Sequence, residues 1–528
     1  MKYKCENIKI SFQKLKDSSP FEAVLSALGL ETSKASNFQI TRESLDSRLS
    51  RSAGIYYVYS ATFDYDSHIA NKSVRKHIDD KPLPPLPQPK VRKTKPVIIG
   101  AGPAGLFAAI RLVEHGFEPI ILEMGKPLLE RQMDVDRFFS GGRLDTSSNI
   151  QFGLGGAGCF SDAKLNTRIK NPMAQYIYKK LVEFGAPGEI AYQAKPHLGT
   201  DRVKPLLANI ESHLVESGVR IQYSSKVTGI DVEILAGANP QAKAVIINDE
   251  RQIKTDCIVA AIGNASRGFF AHLHGKGAVV QPKPFAVGFR MEHSQELINR
   301  HIYGHHPADG VLLKNAEYQL TYKDSETGRN VYTFCNCPGG LVVNSATEAE
   351  GIAVNGMSYS GRDLPNGNSA LVVAVGLEDF GLEPLGAVRF QEQIERAAYC
   401  QTGSYMAPVA GISRFLGGRL EPDVQYSILP GYVETDFDEI FPQFAIKALR
   451  NALASFCARM TGFEHGILTA PETRTSSPVR LVRDKDSFEA EGIGGLFPVG
   501  EGSGYAGGIV SSALDGARAA DLIAQLYS

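Results

Sequence analysis

No apolar run in this 528-residue chain is long and unbroken enough to cross a bilayer. The longest near the front, Val97 to Ile110, is interrupted by glycine and proline and ends at Arg111. Met1 to Lys16 carries basic residues but no apolar core of the kind a secretory signal needs, so a cytoplasmic protein with no membrane span is expected. Cysteine is scarce. Seven in this length exclude a disulfide framework and fit a reducing compartment. Net charge is almost absent too: 56 Lys and Arg against 57 Asp and Glu leave a formal −1. That disfavours a global electrostatic grip on nucleic acid or an anionic membrane, and no nucleic-acid partner is expected. No internal repeat is found.

What is present is ordinary in bulk and unusual in glycine. Apolar content of 43% and charged content of 21% are those of a globular protein, and the length implies two or three domains. The 52 glycines gather in a few clusters, which suggests backbone approaching a ligand. Residues 1–80 read as a small βαββ module: strand candidates at Asn7–Phe12, Asn37–Ser44 and Gly54–Phe63, and a helix over Pro20–Leu30 that Gly29 can end. A proline-rich linker, 81–95, follows. Residues 96–280 carry strand and helix patterns in alternation, 281–470 mix β-like runs with a helix near Phe444–Met460, and 471–528 return to strand, glycine turn and helix. A closing segment that resembles the opening one implies that 281–470 is an insertion.

The chemistry is announced at Gly100-Ala101-Gly102-Pro103-Ala104-Gly105, a GxGxxG preceded by the apolar strand Val97–Ile99 and followed by a helix. Gly100 permits the tight turn, Gly102 lets backbone N–H groups approach a pyrophosphate, and Gly105 lets the helix pack closely on the strand. The helix N-terminus adds partial positive charge. Glu123 ends the next strand about 20 residues on, placed to accept hydrogen bonds from an adenosine ribose, with Met124 and Arg131 just beyond it. Two further segments separate FAD from NAD. Asn149–Asp162, with Gln151, Gly155, Gly156, Ala157 and Gly158, reads as loop backbone along an extended cofactor. Gly494–Asp515 delivers Gly500 and Glu501 from a strand, then Gly507, Gly508 and Ile509 open the last helix, whose N-terminus would face the flavin pyrimidine edge. Val227 and Gly263, at the start and end of neighbouring strands, complete the expected cofactor contacts. One non-covalent FAD is expected.

VIIGAGPAG, NIQFGLGGAGCFSDAKL, PKPFAVGFRMEH, TFCNCPGG, ETRTSSPVRLVRD and PVGEGSGYAGGIVSSALDG together resemble the FAD-dependent dehydrogenases of bacteria, within the glutathione-reductase-like flavoprotein superfamily. The resemblance spans nearly the whole chain. It implies an α/β fold: a Rossmann-type doubly wound FAD-binding domain in two parts, an inserted α+β substrate domain, and the small N-terminal α+β module. It lends no substrate. Where these proteins carry a His-Ala-Arg pattern, this chain has Ser360-Gly361-Arg362-Asp363, so no catalytic base at that histidine carries over.

A second strand-framed GxGxxG is missing, and with it a built site for NAD(P)H; a separate redox partner or the organic substrate itself would then reduce the flavin. There is no CxxC pair. Cys335-Asn336-Cys337 comes nearest, and two thiols two apart on a strand share a face but bridge only with strain. Packing before the Pro338-Gly339-Gly340 turn is the favoured reading, with no metal site, since further donors beyond His305-His306 are wanting. Arg474 to Arg483 either orients an anionic substrate or braces an interdomain turn. Arg474, Ser476 and Arg362 are the catalytic candidates. The expected function is FAD-dependent oxidation or reduction of a small organic substrate at flavin N5. Reduction of an isoprenoid or lipid-like double bond is the alternative within enzymes, and an RNA-associated flavoprotein the alternative outside them.

Overall fold

The computed structural model describes residues 1–47, 54–78, 95–167, 169, 171–234, 239–304 and 313–527. The 81–94 part of the expected linker and His305-His306 lie outside the described residues. The chain folds as mixed α/β, with one all-parallel sheet, several antiparallel ones and a seven-stranded sheet that is antiparallel except for its last pair, Ala407–Gly411 with Tyr432–Glu434.

The parallel sheet has five strands in the order Leu496–Pro498, Ile258–Ala260, Val97–Ile99, Ile120–Leu122, Arg220–Gln222. Four of the five are buried at every position, because both faces are covered. One face packs on the helices Pro103–Glu114 and Ile509–Leu526, the other on the helix Arg267–Gly275 and a three-stranded sheet of Val227–Glu233, Gln241–Ile247 and Arg251–Lys254. The strand that enters the glycine turn therefore lies at the centre, and the chain's last strand lies at the edge beyond Ile258–Ala260. The helix after the glycine turn, Pro103–Glu114, and the last helix, Ile509–Leu526, pack directly on each other. Gly516 makes this possible: a Cβ there would sit 2.0 Å from the Ala104 carbonyl oxygen. Asp521 then locks the pair, accepting from Arg111 Nε at 2.6 Å and lying 2.7 Å from His115 Nε2.

Two short strands, Val280–Pro282 and Val479–Leu481, pair antiparallel where the chain leaves and re-enters this region. Between them runs a seven-stranded sheet in the order Thr321–Lys323, Asn330–Cys337, Asn366–Val375, Phe285–Ser294, Ile467–Glu472, Ala407–Gly411, Tyr432–Glu434. Its middle strand alternates with period two. Phe285, Val287, Phe289 and Met291 join the main apolar core, to which the helix Gln443–Arg459 also contributes, so Arg290 is turned to the opposite face. The strand Asn330–Cys337 carries a bulge between Phe334 and Cys337, with Cys335 in the left-handed region at φ 49°. Such a bulge re-aims side chains at a sheet margin.

The N-terminal residues form a four-stranded sheet, order Ala35–Asp46, Tyr56–Tyr65, Lys2–Ser11, Val74–Lys76. The expected helix is there, Pro20–Leu28, with a capping box between Ser19 and Glu22 and Gly29 at φ 71° closing it. Besides the fourth strand, Val74–Lys76, two details differ from expectation. The first strand starts at Lys2 rather than Asn7, and Phe12–Asp17 is helical because Ser11 caps it. The apolar residues of this module belong to the same continuous core as the seven-stranded sheet, so it packs on the molecule instead of standing apart. Its strand residue Glu43 also exchanges backbone hydrogen bonds with Tyr192 and Ala194.

Candidate functional site

A cavity of about 620 Å³ opens between the parallel sheet and the seven-stranded one. That is within the usual range for small-molecule and cofactor sites. Its two ends are built differently.

One end is backbone. Gly100, at φ 103°, turns the chain so tightly that a Cβ would lie 2.4 Å from the Ala261 carbonyl oxygen, and a Cβ on Gly105 would lie 2.0 Å from that of Gly100. Gly100 touches the cavity and Gly105 does not; its place is under the turn. Gly102 is different. Its backbone is extended, and a Cβ there would meet nothing closer than the Gly156 Cα at 4.0 Å, so a side chain would occupy the cavity. Gly102 heads the helix Pro103–Glu114 with no side chain capping it, leaving the helix's N-terminal dipole for a ligand. Pro103, Ala104, Gln151, Gly156, Ala157 and Gly158 surround this mouth, and the run Gly156–Phe160 is a turn of 3-10 helix rather than plain loop. Gly263, Gly500, Gly507, Gly508 and Ile509 line the continuation, where the last helix begins.

Glu123 also lines the cavity and is 5% exposed. Its carboxylate accepts from the backbone N–H groups of Ala101 at 2.7 Å, Gly153 at 2.8 Å and Gly125 at 2.9 Å. A carboxylate offers about four acceptor positions, so one remains for a ribose hydroxyl. Glu501 accepts from Asn264 Nδ2 at 3.0 Å, and burial pushes its carboxyl up to about 7.

Four expected contacts besides Gly105 lie outside the cavity: Met124, Arg131, Gly155 and Val227. Arg131 is the instructive one. It is fully buried and donates to the carbonyls of Asn149, Leu154 and Gly156 at 2.9, 2.7 and 2.9 Å, tying the glycine loop from behind. Gly155, at φ 87°, has its Cβ position filled by Leu207. Val227 begins the first strand of a separate three-stranded sheet, and Met124 lies in the turn after Glu123.

The other end is made of side chains brought together from distant segments. Lys164, Asp162, Arg362, Glu472 and Cys335 all line the cavity. Asp162 accepts from Arg362 Nε at 2.9 Å and Nη2 at 2.5 Å and from Lys164 Nζ at 2.5 Å. Although burial acts to raise it, these two cations hold the Asp162 carboxyl below its ordinary range. Arg362 also reaches Glu317 at 3.2 Å, so its charge is fully engaged. Lys164 Nζ stands 4.0 Å from Cys335 Sγ and 3.8 Å from Cys337 Sγ. Arg290, 0% exposed, approaches Cys337 Sγ at 3.5 Å and Glu472 Oε1 at 3.5 Å. Cys335 is held well below the usual thiol range by the hydrogen bond from Cys337 and by the Lys164 and Arg290 cations, against burial. Glu472 is 3% exposed, its Oε2 has no hydrogen-bond partner, and burial pushes its carboxyl up to about 7.

Cys337 is fully buried, as the packing reading expects, and Cys335 is not. Cys335 faces the cavity, and the bulge sets both sulfurs around one ammonium group. The arginine-rich run resolves toward bracing. Arg474 lies at the cavity wall but is committed to Glu395 at 2.9 Å and to Thr347 at 2.8 Å, while Arg267 holds the other side of Glu395. Arg483 is bonded to Asp515, and Ser476 does not line the cavity. Sequence reasoning missed Arg290, Glu472, Asp162 and Lys164 as site residues. The signal for Arg290, in PKPFAVGFRMEH, was an arginine set within the apolar run of its strand. Among the described residues, no cluster of three or more His, Cys, Asp or Glu is arranged to hold a metal, and no helix is long and apolar enough to cross a membrane.

An uncapped helix start, a glycine whose missing side chain leaves the cradle open, and a buried carboxylate at the end of the second strand are what a flavin dinucleotide needs. The comparisons agree. A family profile described as "FAD-dependent protein, C-terminal domain-like" matches residues 284–475, the stretch between the two connector strands. An uncharacterized protein of Clostridium beijerinckii is 40% identical over 445 residues, covering 82% of this chain and 81% of that one. The chain belongs to this family of FAD-dependent proteins, and its cofactor is FAD. Among solved structures, CtdE in complex with FAD is 14% identical, covers 82% of this chain and 84% of that one, and has a TM-score of 0.32. The flavin-dependent brominase Bmp2 is 13% identical, with 82% and 79% covered and a TM-score of 0.37. Likenesses this distant say nothing about the reaction.

Proposed function

We propose that the protein is an FAD-dependent oxidoreductase that acts on a small organic substrate entering the cavity between the parallel and seven-stranded sheets. The observation that carries this reading is the continuity of one cavity from the glycine cradle at Gly100–Ala104 to the unpartnered Glu472 Oε2. Bound FAD supplies a two-electron carrier whose reacting atom is N5. The chain's own residues do the rest. Gly102, Ala104 and the helix start hold the pyrophosphate, and Glu123 takes the adenosine ribose. Glu501 takes the ribityl chain, and the start of the helix Ile509–Leu526 provides a positive pole for the flavin pyrimidine edge. Glu472, neutral or charged near neutrality, gives or takes the substrate proton, a task for which a carboxyl near 7 is suited. Arg362 acts through Asp162, which it fixes in place and which in turn holds the Lys164 ammonium at the cavity wall.

The test is anaerobic reduction of the flavin by a panel of small alcohols, amines, hydroxy acids and dihydro compounds, in the wild type and in Glu472→Gln. Saturable bleaching by at least one class, slowed at least tenfold by Glu472→Gln with flavin content unchanged, supports the reading. Equal rates in both proteins would remove Glu472 from the mechanism.

A further inference from the structure

We propose that Cys335 and Cys337 are a redox dithiol–disulfide pair that exchanges two electrons with the FAD of this cavity. The inference rests on the FAD-dependent oxidoreductase reading and goes beyond it by assigning a second electron carrier.

Two thiols on a regular strand at this spacing point the same way but stand too far apart for an unstrained bridge. Here the strand is not regular. The bulge between Phe334 and Cys337 and the left-handed backbone of Cys335 break the repeat, and both sulfurs contact one ammonium, Lys164 Nζ, at 4.0 and 3.8 Å. Left-handed backbone at a residue other than glycine stores strain, and such strain gathers at functional sites. A thiol pair with a purely structural role has no need of a buried guanidinium as well, yet Arg290 Nη2 lies 3.5 Å from Cys337 Sγ. Cation contacts stabilise a thiolate, the reactive form in disulfide chemistry. The direction of the titration agrees: Cys335 gives up its proton early, and Cys337, hydrogen-bonded to it and buried, keeps its own.

The pair is also close to the cofactor by chain connectivity. The turn Gly156–Phe160, which faces Gly102 and Ile509, leads within a few residues to Asp162 and Lys164. Cys335 lines the same cavity as Gly102, Gly507 and Glu501. The remaining cysteines differ: Cys5, Cys159 and Cys257 are buried, Cys400 is exposed, Cys457 is half-buried, and none of the five lines the cavity.

The step balances with the cofactor alone. One S–S bond forms between Cys335 and Cys337, and the Cys337 S–H bond breaks. The thiolate and thiol together lose two electrons and one proton, and oxidised FAD takes up both electrons and that proton. Run in reverse, reduced FAD opens the disulfide. A strained bridge has a relatively high potential and is easily reduced, which suits a carrier more than a staple.

Tryptic cleavage after Arg329 and Arg362 releases Asn330–Arg362, a peptide that contains these two cysteines and no other. The flavin-loaded wild type is oxidised with ferricyanide, freed of reagent and titrated anaerobically with dithionite. Aliquots are alkylated under denaturing conditions before and after. The expected result is two electron pairs taken up per flavin, with the peptide unalkylated before titration and doubly alkylated after it. Cys337→Ser should bind flavin as the wild type does and take up one electron pair. One electron pair in flavin-loaded wild type, with the peptide doubly alkylated throughout, would overturn the proposal. Because the wild-type peptide reads the pair directly, failure of the variant to fold leaves the test intact. Purified protein devoid of flavin would instead count against the cofactor site.

Discussion

The two ends of the cavity make an instructive pair. At the glycine end the ligand is met by backbone, and the residues that matter are those whose side chains are missing. At the polar end it is met by Lys164, Arg362, Cys335 and Glu472, which come from four separate segments. A backbone site depends on local turns, so a short string of residues specifies it. A side-chain site depends on which strands pair and in what register, and that is decided by the whole sheet.

The contrast is sharpest in the glycines. Gly105→Val places its Cβ against the Gly100 carbonyl and should leave little or no soluble protein. Gly102→Val meets no such obstacle: its backbone is extended and its Cβ position open. It should fold with a near-normal melting temperature and be recovered without flavin, read from the absorbance ratio after gel filtration. Full FAD occupancy in Gly102→Val would break the distinction between the ends.

Next in size is Glu395→Gln. Glu395 is buried between Arg267 and Arg474, and removing its charge leaves two buried guanidinium groups uncompensated, at a cost of about 3–5 kcal/mol. Despite burial, the two arginines hold its carboxyl below the ordinary 4.5. The stabilisation is therefore complete above that pH and is lost as pH falls through the lowered value. Denaturant melts from pH 7 downward should converge for wild type and variant. If Arg474 serves substrate instead of bracing, the variant will melt normally and lose only turnover.

Arg131→Met should cost about 2–3 kcal/mol, since three buried carbonyls lose a charged donor. FAD affinity should fall as the loop behind Gly156 loosens. Urea titration with and without added FAD separates the two effects, and an unchanged affinity would show that the loop holds its shape unaided.

The smallest effect on stability is expected at Glu472, and its direction is set by its pKa. The folded value, about 7, lies above the ordinary 4.5, so the group favours folding below 4.5 and that contribution disappears as pH rises through 7. Arg290 moderates the shift and Cys335 adds to it. Glu472→Gln should flatten the stability profile between these pH values and erase an inflection near 7 in flavin reduction by substrate. An inflection that survives the substitution would assign it to another group.

The strand, turn and helix around Gly100 were legible because each is local: an apolar run, a glycine at positive φ, a helix start without a capping side chain. The last helix was legible for the same reason. Arg131 was legible as a residue near the site and misread as a ligand contact, because spacing says which residues are close but not which way a buried guanidinium points. The seven-stranded sheet was not legible. Its middle strand pairs Phe285–Ser294 with Asn366–Val375 and with Ile467–Glu472, partners far away in the chain. Cys335 and Cys337 were seen but weighed as residues of a regular strand, and the bulge that redirects them is a property of the pairing with Asn368 and Ala370.

The central claim is that both ends serve one flavin, and a crystal structure of the flavin-loaded protein tests it directly. The account predicts the pyrophosphate against Gly102 and Ala104, the flavin ring by Gly507 and Gly508, and Glu472 and Cys335 facing that ring. A ring lying away from Glu472 and Cys335, with the pyrophosphate still at Gly102, would contradict it.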